Sequence, residues 1–403
     1  MVVVGGGAAG FFAAVTCAET SPRTKVTLLE KGPSFLSKVR ISGGGRCNVT
    51  HACFDPPELS NHYPRGGAAL LGPFQTFQPR HTIEWFEARG VKLKTEEDGR
   101  MFPVTDSSQT IINCLVHAAQ NAGVNLIPNR SVQQAIRGPQ GGFEAVLANG
   151  DKLECECLML ALGGCRAPVA GQLAVSLGHT LEPPVPSLFT FHIVAAWLRE
   201  LAGISLPSAE VSVPGLKLRE RGALLITHTG LSGPAILRLS AWGARELHGL
   251  GYHFALRLNW LPHLQSESVA GKLEERRAAQ PARLIVNTPV APIPTRLWEA
   301  LVLAAGINRE TRWAELSRSA RHRLIQQLCT TEFQVSGKSL NQEEFVTCGG
   351  VRLSEVNFKT MESRICPGLH FGGELLDIDG VTGGFNFQSA WTTGWIAGKA
   401  MST

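Results

Sequence analysis

The chain has 403 residues, 44% of them hydrophobic and 18% charged. That is too long for one ordinary domain and too apolar for a disordered chain. The net charge of +5 permits an anionic partner without demanding one, and no apolar run reaches the roughly 18 residues that would signal a membrane span. Ten cysteines fall at irregular spacings with no CxxC pair, so no metal is expected. They read as reduced thiols of a cytoplasmic protein; no signal peptide is visible, and an organellar protein stripped of a targeting segment also fits.

In chain order, Val2–Val4 predicts a strand, followed by a glycine-rich turn, a helix from Phe11 to about Glu19 and a strand at Val26–Leu29. This is a βαβ opening. A helix over Asn113–Asn121 and a strand over Val124–Ile127 come next. Phe143–Leu147 and Lys152–Cys157 read as a hairpin across Asn149-Gly150. Leu158–Leu162 reads as a buried parallel strand ending in Gly163-Gly164, with a helix near Gly171–Leu177. Pro183, Pro184 and Pro186 mark a domain crossing. Residues 188–262 alternate short strands and turns, as a small barrel would. Residues 264–331 are helical, broken at Pro289, Pro292 and Pro294, and Phe333–Val335 reads as a strand returning to the barrel. Glycine-rich strands and turns resume at Thr347, and a helix runs from about Phe387 to Met401.

Three glycine clusters carry the chemistry. Gly5, Gly7 and Gly10 fit GxGxxG, with Ala8 and Ala9 between. The first glycine allows the tight turn, the second lets backbone approach a pyrophosphate, and the third lets helix and strand pack closely. Glu30, at the end of the next strand, is placed to accept from a ribose hydroxyl and to repel a 2′-phosphate, which favours FAD or NAD; Lys31 follows it. The second cluster, Ser42-Gly43-Gly44-Gly45-Arg46-Cys47-Asn48, exposes backbone N–H groups beside a fixed positive charge. Lys38 and Arg40 precede it. Such a loop suits a pyrophosphate or a flavin edge. The third is Gly372-Gly373-Glu374, then Gly383-Gly384-Phe385-Asn386-Phe387. A strand ending in Gly-Gly-Glu resembles the flavoprotein pattern in which the acid binds ribityl hydroxyls, and the Gly-Gly pair opens a helix whose positive end suits the flavin N1–C2=O edge.

The motifs GGGAAG at 5–10, ISGGGRCN at 41–48, GRMFPV at 99–104, THTGLSGPA at 227–235, TCGGV at 347–351, TMESR at 360–364 and PGLHFGGELLDIDGVTGGFNFQSAW at 367–391 resemble the BaiN/RdsA, or HI0933-like, family of FAD-dependent oxidoreductases. The resemblance spans almost the whole chain. It implies an α/β fold: a Rossmann-like FAD/NAD(P)-binding domain from both chain ends (1–187 and 347–403), an inserted β-barrel (188–262, with a return strand in 332–346) and a small helical domain (263–331). It also places Val132 by the adenine and Gly163 by the adenosine half. The loop after Gly163-Gly164 is shorter than the family's, and Leu162 stands where the family usually has Thr.

The catalytic residues stay unassigned at this level. Cys47 is a candidate redox thiol, with packing beside the cofactor the plainer role. His228, before a helix start expected to be capped by Ser232, is a candidate proton donor, with a structural histidine the plainer role. The helical segment holds ten Lys/Arg against six Asp/Glu. Arg309, Arg312, Arg318, Arg321 and Arg323 cluster there with Trp313, as a solvated face or as an RNA-binding face with Trp313 stacking on a base. The expected activity is NAD(P)H-driven reduction of a C=C bond by reduced FAD. The acceptor is either a ribosomal RNA uridine, giving dihydrouridine, or a small enone. The alternatives are an RNA-binding flavoprotein with a structural or sensing FAD, and a flavin monooxygenase or oxidase.

Overall fold

The computed structural model describes residues 1–165, 168–339 and 346–403. Residues 166 and 167, in the shortened loop, and 340–345, in the expected return segment, lie outside the described residues. The chain divides into two compact units, one from Met1–Ser187 with the C-terminal segment, the other from the residues between.

The first unit is built on a seven-stranded sheet. Its parallel core is β1 (Val2–Val4), β2 (Thr27–Leu29), β6 (Asn125–Ile127), β10 (Leu158–Leu160) and β21 (Leu369–Phe371). The order is β21-β10-β1-β2-β6, with β20 (Glu362–Ser363) and β19 (Val356–Asn357) added antiparallel at the β21 edge. β1, β10 and β21 are buried throughout, as expected of parallel strands covered on both faces. The first helix spans Ala8–Thr20, three residues earlier than its apolar pattern indicated, because Gly7 takes the N-cap position and Ala8-Ala9-Gly10 fills the first turn. The helix expected from Asn113 also starts earlier, at Ser108.

Two three-stranded sheets flank this core: β3 (Thr50–His51), β5 (Arg100–Pro103) and β4 (Leu93–Thr95), and β7 (Val132–Arg137), β8 (Phe143–Leu147) and β9 (Lys152–Cys155). β8 and β9 are the hairpin read from Asn149-Gly150. The proline-rich segment expected to be a bare crossing instead forms β11 (Leu181–Ser187), paired with β18 (Val346–Val351). Its register shifts between Glu182 and Val185, so Pro183 and Pro184 fall where no ladder N–H is required.

The last helix, Phe385–Ala400, packs on the first through small residues. A Cβ added at Gly394 would overlap the Ala9 carbonyl oxygen, and one at Gly398 would approach the Ala13 carbonyl oxygen to 2.5 Å. The four-residue spacing puts both glycines on one face, which brings the two backbones into contact.

The second unit contains a closed six-stranded barrel: β12 (Phe191–Ile193), β15 (Gly230–Ser232), β14 (Leu218–Thr227), β13 (Ser205–Val213), β16 (Phe254–Asn259) and β17 (Thr331–Lys338). Helices Ser266–Ala279, Thr295–Ala304 and Arg318–Cys329 lie between β16 and β17 in sequence. Trp298 and Trp313 are fully buried, with Nε1 donating to the Ile285 carbonyl and to Thr288 Oγ1, each at 2.7 Å.

Candidate cofactor site

The three glycine clusters converge in the first unit. Gly5 has φ +114, and a Cβ there would overlap the Ala161 carbonyl oxygen. At Gly10 a Cβ would overlap the Gly5 carbonyl, whereas nothing lies within 4 Å of a Cβ at Gly7. Turn, close helix–strand packing and an open approach are thus divided among the glycines as the fingerprint requires. The Glu30 carboxylate is fixed by two backbone donors, Gly6 N–H at 2.9 Å and Gly32 N–H at 2.8 Å. Each oxygen keeps a lone pair for a hydroxyl. Lys31 beside it is exposed.

In the second cluster Gly43 and Gly44 are left-handed, at φ 59 and 68. A Cβ at Gly43 would press on Phe102, while Gly44 and Gly45 face open space. Ser42 Oγ donates to the Val39 carbonyl at 2.9 Å and its own carbonyl accepts from Cys47 N–H at 2.9 Å, closing the loop. Arg46 does not present a free charge. Its guanidinium pairs with Glu96 at 2.6 Å, lies 3.5 Å from Asp106 and sits 3.9 Å over the Phe102 ring. It pins the loop to β5, and its charge is largely met within the protein.

The third cluster abuts the first. Gly373 N–H donates to Thr393 Oγ1 at 2.9 Å, and a Cβ at Gly373 would lie 3.1 Å from the Ala9 Cβ. Glu374 accepts from Thr347 N–H at 2.8 Å and pairs with Lys38 at 2.5 Å, joining the third cluster to the approach to the second. Asn48, its amide oxygen turned toward the last helix, accepts from Gly384 N–H at 3.0 Å and donates to the Thr50 carbonyl at 3.0 Å. Asn386 holds the turn before the helix by exchanging two 2.8 Å hydrogen bonds with the Gly380 backbone. Gly384 caps the helix with φ 95 and no side-chain bond. The N–H groups of Phe385, Asn386 and Phe387 find no acceptor among the described residues, which leaves a positive helix end with unfilled donors.

Open space at Gly7, Gly44 and Gly45, a carboxylate held with spare acceptor capacity and an unfilled helix N-terminus fit a dinucleotide with a polar ring system. Gly163, at φ 76 with open space, follows the end of β10 at Leu160, and Val132 is buried at the start of β7.

The structure corrects the stacking role of Trp313 and the Ser232 cap, and it favours the plainer role of Cys47. Burial pushes the Cys47 thiol up to about 12, with only a Ser42 hydrogen bond opposing, and the side chain is fully buried. A thiolate nucleophile is therefore disfavoured, and the burial favours packing as the role of Cys47. Trp313 is enclosed and hydrogen-bonded, so it has no face for a base. Ser232 lies in β15 and makes no cap; Gly233, at φ 96, holds the cap position before Pro234. His228 is exposed in the turn between β14 and β15 of the other unit.

Sequence reasoning missed the buried polar set behind the last helix. Thr50 and Thr82 hydroxyls both donate to Gln388 Oε1, at 2.6 and 2.9 Å, while Gln388 Nε2 donates to Thr392 at 3.1 Å. Tyr63 donates to the Phe385 carbonyl at 2.6 Å. The spacing of Gln388 and Thr392 was the available signal: two polar residues one turn apart on an otherwise buried helix require partners.

The family model described as HI0933-like protein Rossmann domain matches residues 1–400. The chain belongs to the HI0933-like family. Among curated relatives, the ribosomal RNA dihydrouridine synthase of Escherichia coli (strain K12) is 31% identical over 99% of this chain and 96% of its own. The 3-dehydro-bile acid delta(4,6)-reductase of Clostridium scindens is 27% identical over 99% of this chain and 98% of its own. The solved 3-ketosteroid-delta4-(5alpha)-dehydrogenase of Rhodococcus jostii RHA1 shares the fold, at a TM-score of 0.52 and 14% identity, over 100% of this chain and 96% of that one. This HI0933-like chain is a flavin-dependent oxidoreductase with an FAD-binding Rossmann fold. Among the described residues no helix is long and apolar enough to cross a membrane, and no group of three His, Cys, Asp or Glu is placed to hold a metal.

Proposed function

We propose that this chain reduces a C=C bond conjugated to a carbonyl, with FAD held by the three glycine clusters and NAD(P)H as the transient reductant. When bound, FAD supplies the hydride. Glu30 receives the adenosine ribose, the Gly7 turn and first helix the pyrophosphate, Glu374 the ribityl chain, and the open end of the last helix the pyrimidine edge of the flavin. That helix end stabilises negative charge on the reduced ring. The observation carrying the reading is that contacts tie the three clusters together, Gly373 to Ala9, Lys38 to Glu374 and Asn48 to Gly384, while open space is left at Gly7, Gly44 and Gly45.

The acceptor we favour is a uridine of ribosomal RNA. The uracil 5,6-bond and the enone of a dehydro-bile acid share the same polarisation by a carbonyl, so one flavin site serves either chemistry. The name of the 31%-identical relative and the basic helices of the second unit support RNA. Arg312 and Arg318 are exposed there, and the Arg318 guanidinium has no partner among the described residues. Arg309, Arg321 and Arg323 are held by Glu299, by Glu274 and by the Ala305 carbonyl. The ten free thiols support a reducing, cytoplasmic setting. The test is mass spectrometry of ribosomal RNA nucleosides from cells lacking the gene, alongside an enone-reduction assay with the purified protein. Loss of one dihydrouridine supports the RNA reading. Unchanged nucleosides with enone turnover move the acceptor to a small molecule.

A further inference from the structure

The last helix carries Phe387, Trp391 and Trp395 at four-residue spacing, so the three rings share a face that starts at the helix's open end. Phe387 stacks on Trp391 with centroids 5.6 Å apart and planes at 17°. Trp391 is fully buried, and its Nε1–H donates at 2.9 Å to the carbonyl of Val49, the residue after Asn48. From Trp391 the aromatic contacts branch through Phe12, whose centroid lies 4.7 Å away. One branch reaches Trp85 at 4.6 Å from Phe12. The other passes Phe77, 5.9 Å from Phe12, to Trp395, which stacks on Phe77 at 5.2 Å and is half-buried at the surface.

The two ends differ in their access to solvent. The Arg89 guanidinium lies 3.9 Å from the Trp85 ring centroid and donates to the Trp85 carbonyl at 3.1 Å. That guanidinium is paired in turn with Glu19 at 2.6 Å, which offsets its charge at the ring. At Trp395 the nearest cation is Lys399, 5.5 Å away, exposed and bonded to Thr20. Water screens that charge. Trp85 is 9% exposed whereas Trp395 is half-buried, so Trp395 is the ring with solvent at hand to take its indole proton.

We propose that Trp391 and Trp395 form an electron route from the surface to the flavin, and that it supports light-driven reduction of bound FAD by an external thiol. This rests on the reading that the open end of the last helix lies against the flavin ring. In each round Trp391 gives one electron to the photoexcited flavin and is refilled from Trp395. Trp395 then loses its N–H proton to water, and a thiol returns one electron and one proton to the indole. Two rounds deliver two electrons; the flavin takes two protons from solvent, and two thiols leave as one disulfide.

The test is anaerobic blue-light illumination of the purified flavoprotein in dithiothreitol, following bleaching of the oxidised-flavin absorption. Trp395→Phe should slow bleaching by an order of magnitude, Trp395→Tyr, which keeps an oxidisable ring, should restore much of it, and Trp85→Phe should leave it unchanged. Electron paramagnetic resonance after freezing under light should show an indolyl radical in the parent protein that Trp395→Phe lacks. Bleaching of Trp395→Phe at the parent rate, or slowing confined to Trp85→Phe, overturns the proposal. Flavin content and melting temperature are measured first for every variant. A parent protein that binds no flavin overturns the cofactor assignment instead, which keeps the two failures apart.

Discussion

At the scale of single residues, Glu30 shows how a side chain is prepared for a ligand. Its two oxygens are already aimed by Gly6 and Gly32 N–H, so binding the proposed ribose would cost little reorganisation. Glu30→Ala should weaken FAD retention by about 1.5–3 kcal/mol, the value of a hydrogen bond to a charged group, read as flavin per protein after dilution and gel filtration. Unchanged retention would remove Glu30 from the site. His179 makes the opposite kind of statement. It is buried, with Nδ1 3.0 Å from Glu355 and Nε2 2.8 Å from Ser363. Burial lowers its pKa below the ordinary 6.5, and Glu355 only partly opposes that. His51 and His370 are lowered from the same value, also chiefly by burial. Histidines kept neutral in the fold take up protons first when unfolded. Their contribution is present above pH 6.5 and is lost as pH falls through the lowered folded values. The melting temperature should therefore drop on acidification below that point, and His179→Gln should flatten the drop. Identical pH profiles would show that His179 does not titrate in this window.

Among the elements, the glycine fingerprint, the hairpin at Asn149-Gly150 and the last helix were legible because each depends on local rules: a turn needing glycine, a two-residue hairpin, a buried run. The Pro183–Pro186 strand was not, since only its partner β18 decides that prolines there sit at a register shift. Arg46 was read as a charge for phosphate because its partners, Glu96 and Asp106, are distant in sequence. Ser232 was read as a cap from composition, whereas the barrel register keeps it in β15. The contact between the first and last helices was equally silent, since Gly394 and Gly398 mean close approach only once Ala9 and Ala13 are known to face them. Gly394→Ala places a Cβ against the Ala9 carbonyl oxygen, and overpacking of this kind typically costs about 1–3 kcal/mol. Calorimetry should show a clearly lower melting temperature, with flavin content reduced in parallel. A variant as stable as the parent would mean that the helices can separate without cost.

For the whole molecule, charge and chain path matter more than any one contact. The positive charge of +5 is modest, so RNA affinity must come from local clusters rather than from the overall field. Paired exchange of Arg312 and Arg318 to Glu should weaken RNA binding and shrink its salt dependence, since each lost phosphate contact lowers the slope of log affinity against log salt by about one. Flavin content should be unchanged. Arg321 is left in place because its Glu274 partner would otherwise face a second acid. An unaltered salt slope would place the RNA contact elsewhere.

The proposed nucleotide cradle is closed by segments far apart in the sequence, with Gly373 against Ala9 and Gly394 against the first helix. A nascent chain can therefore form β1 and the fingerprint turn early yet hold no complete cradle until the segment from Gly373 through the last helix leaves the ribosome, at a synthesis rate of roughly 5–20 residues per second. Flavin capture thereby reports that synthesis has passed the Phe385–Ala400 helix. A chain stalled before Phe385 should stay colourless in a flavin-supplemented translation mixture, and release of the full-length product should turn it yellow.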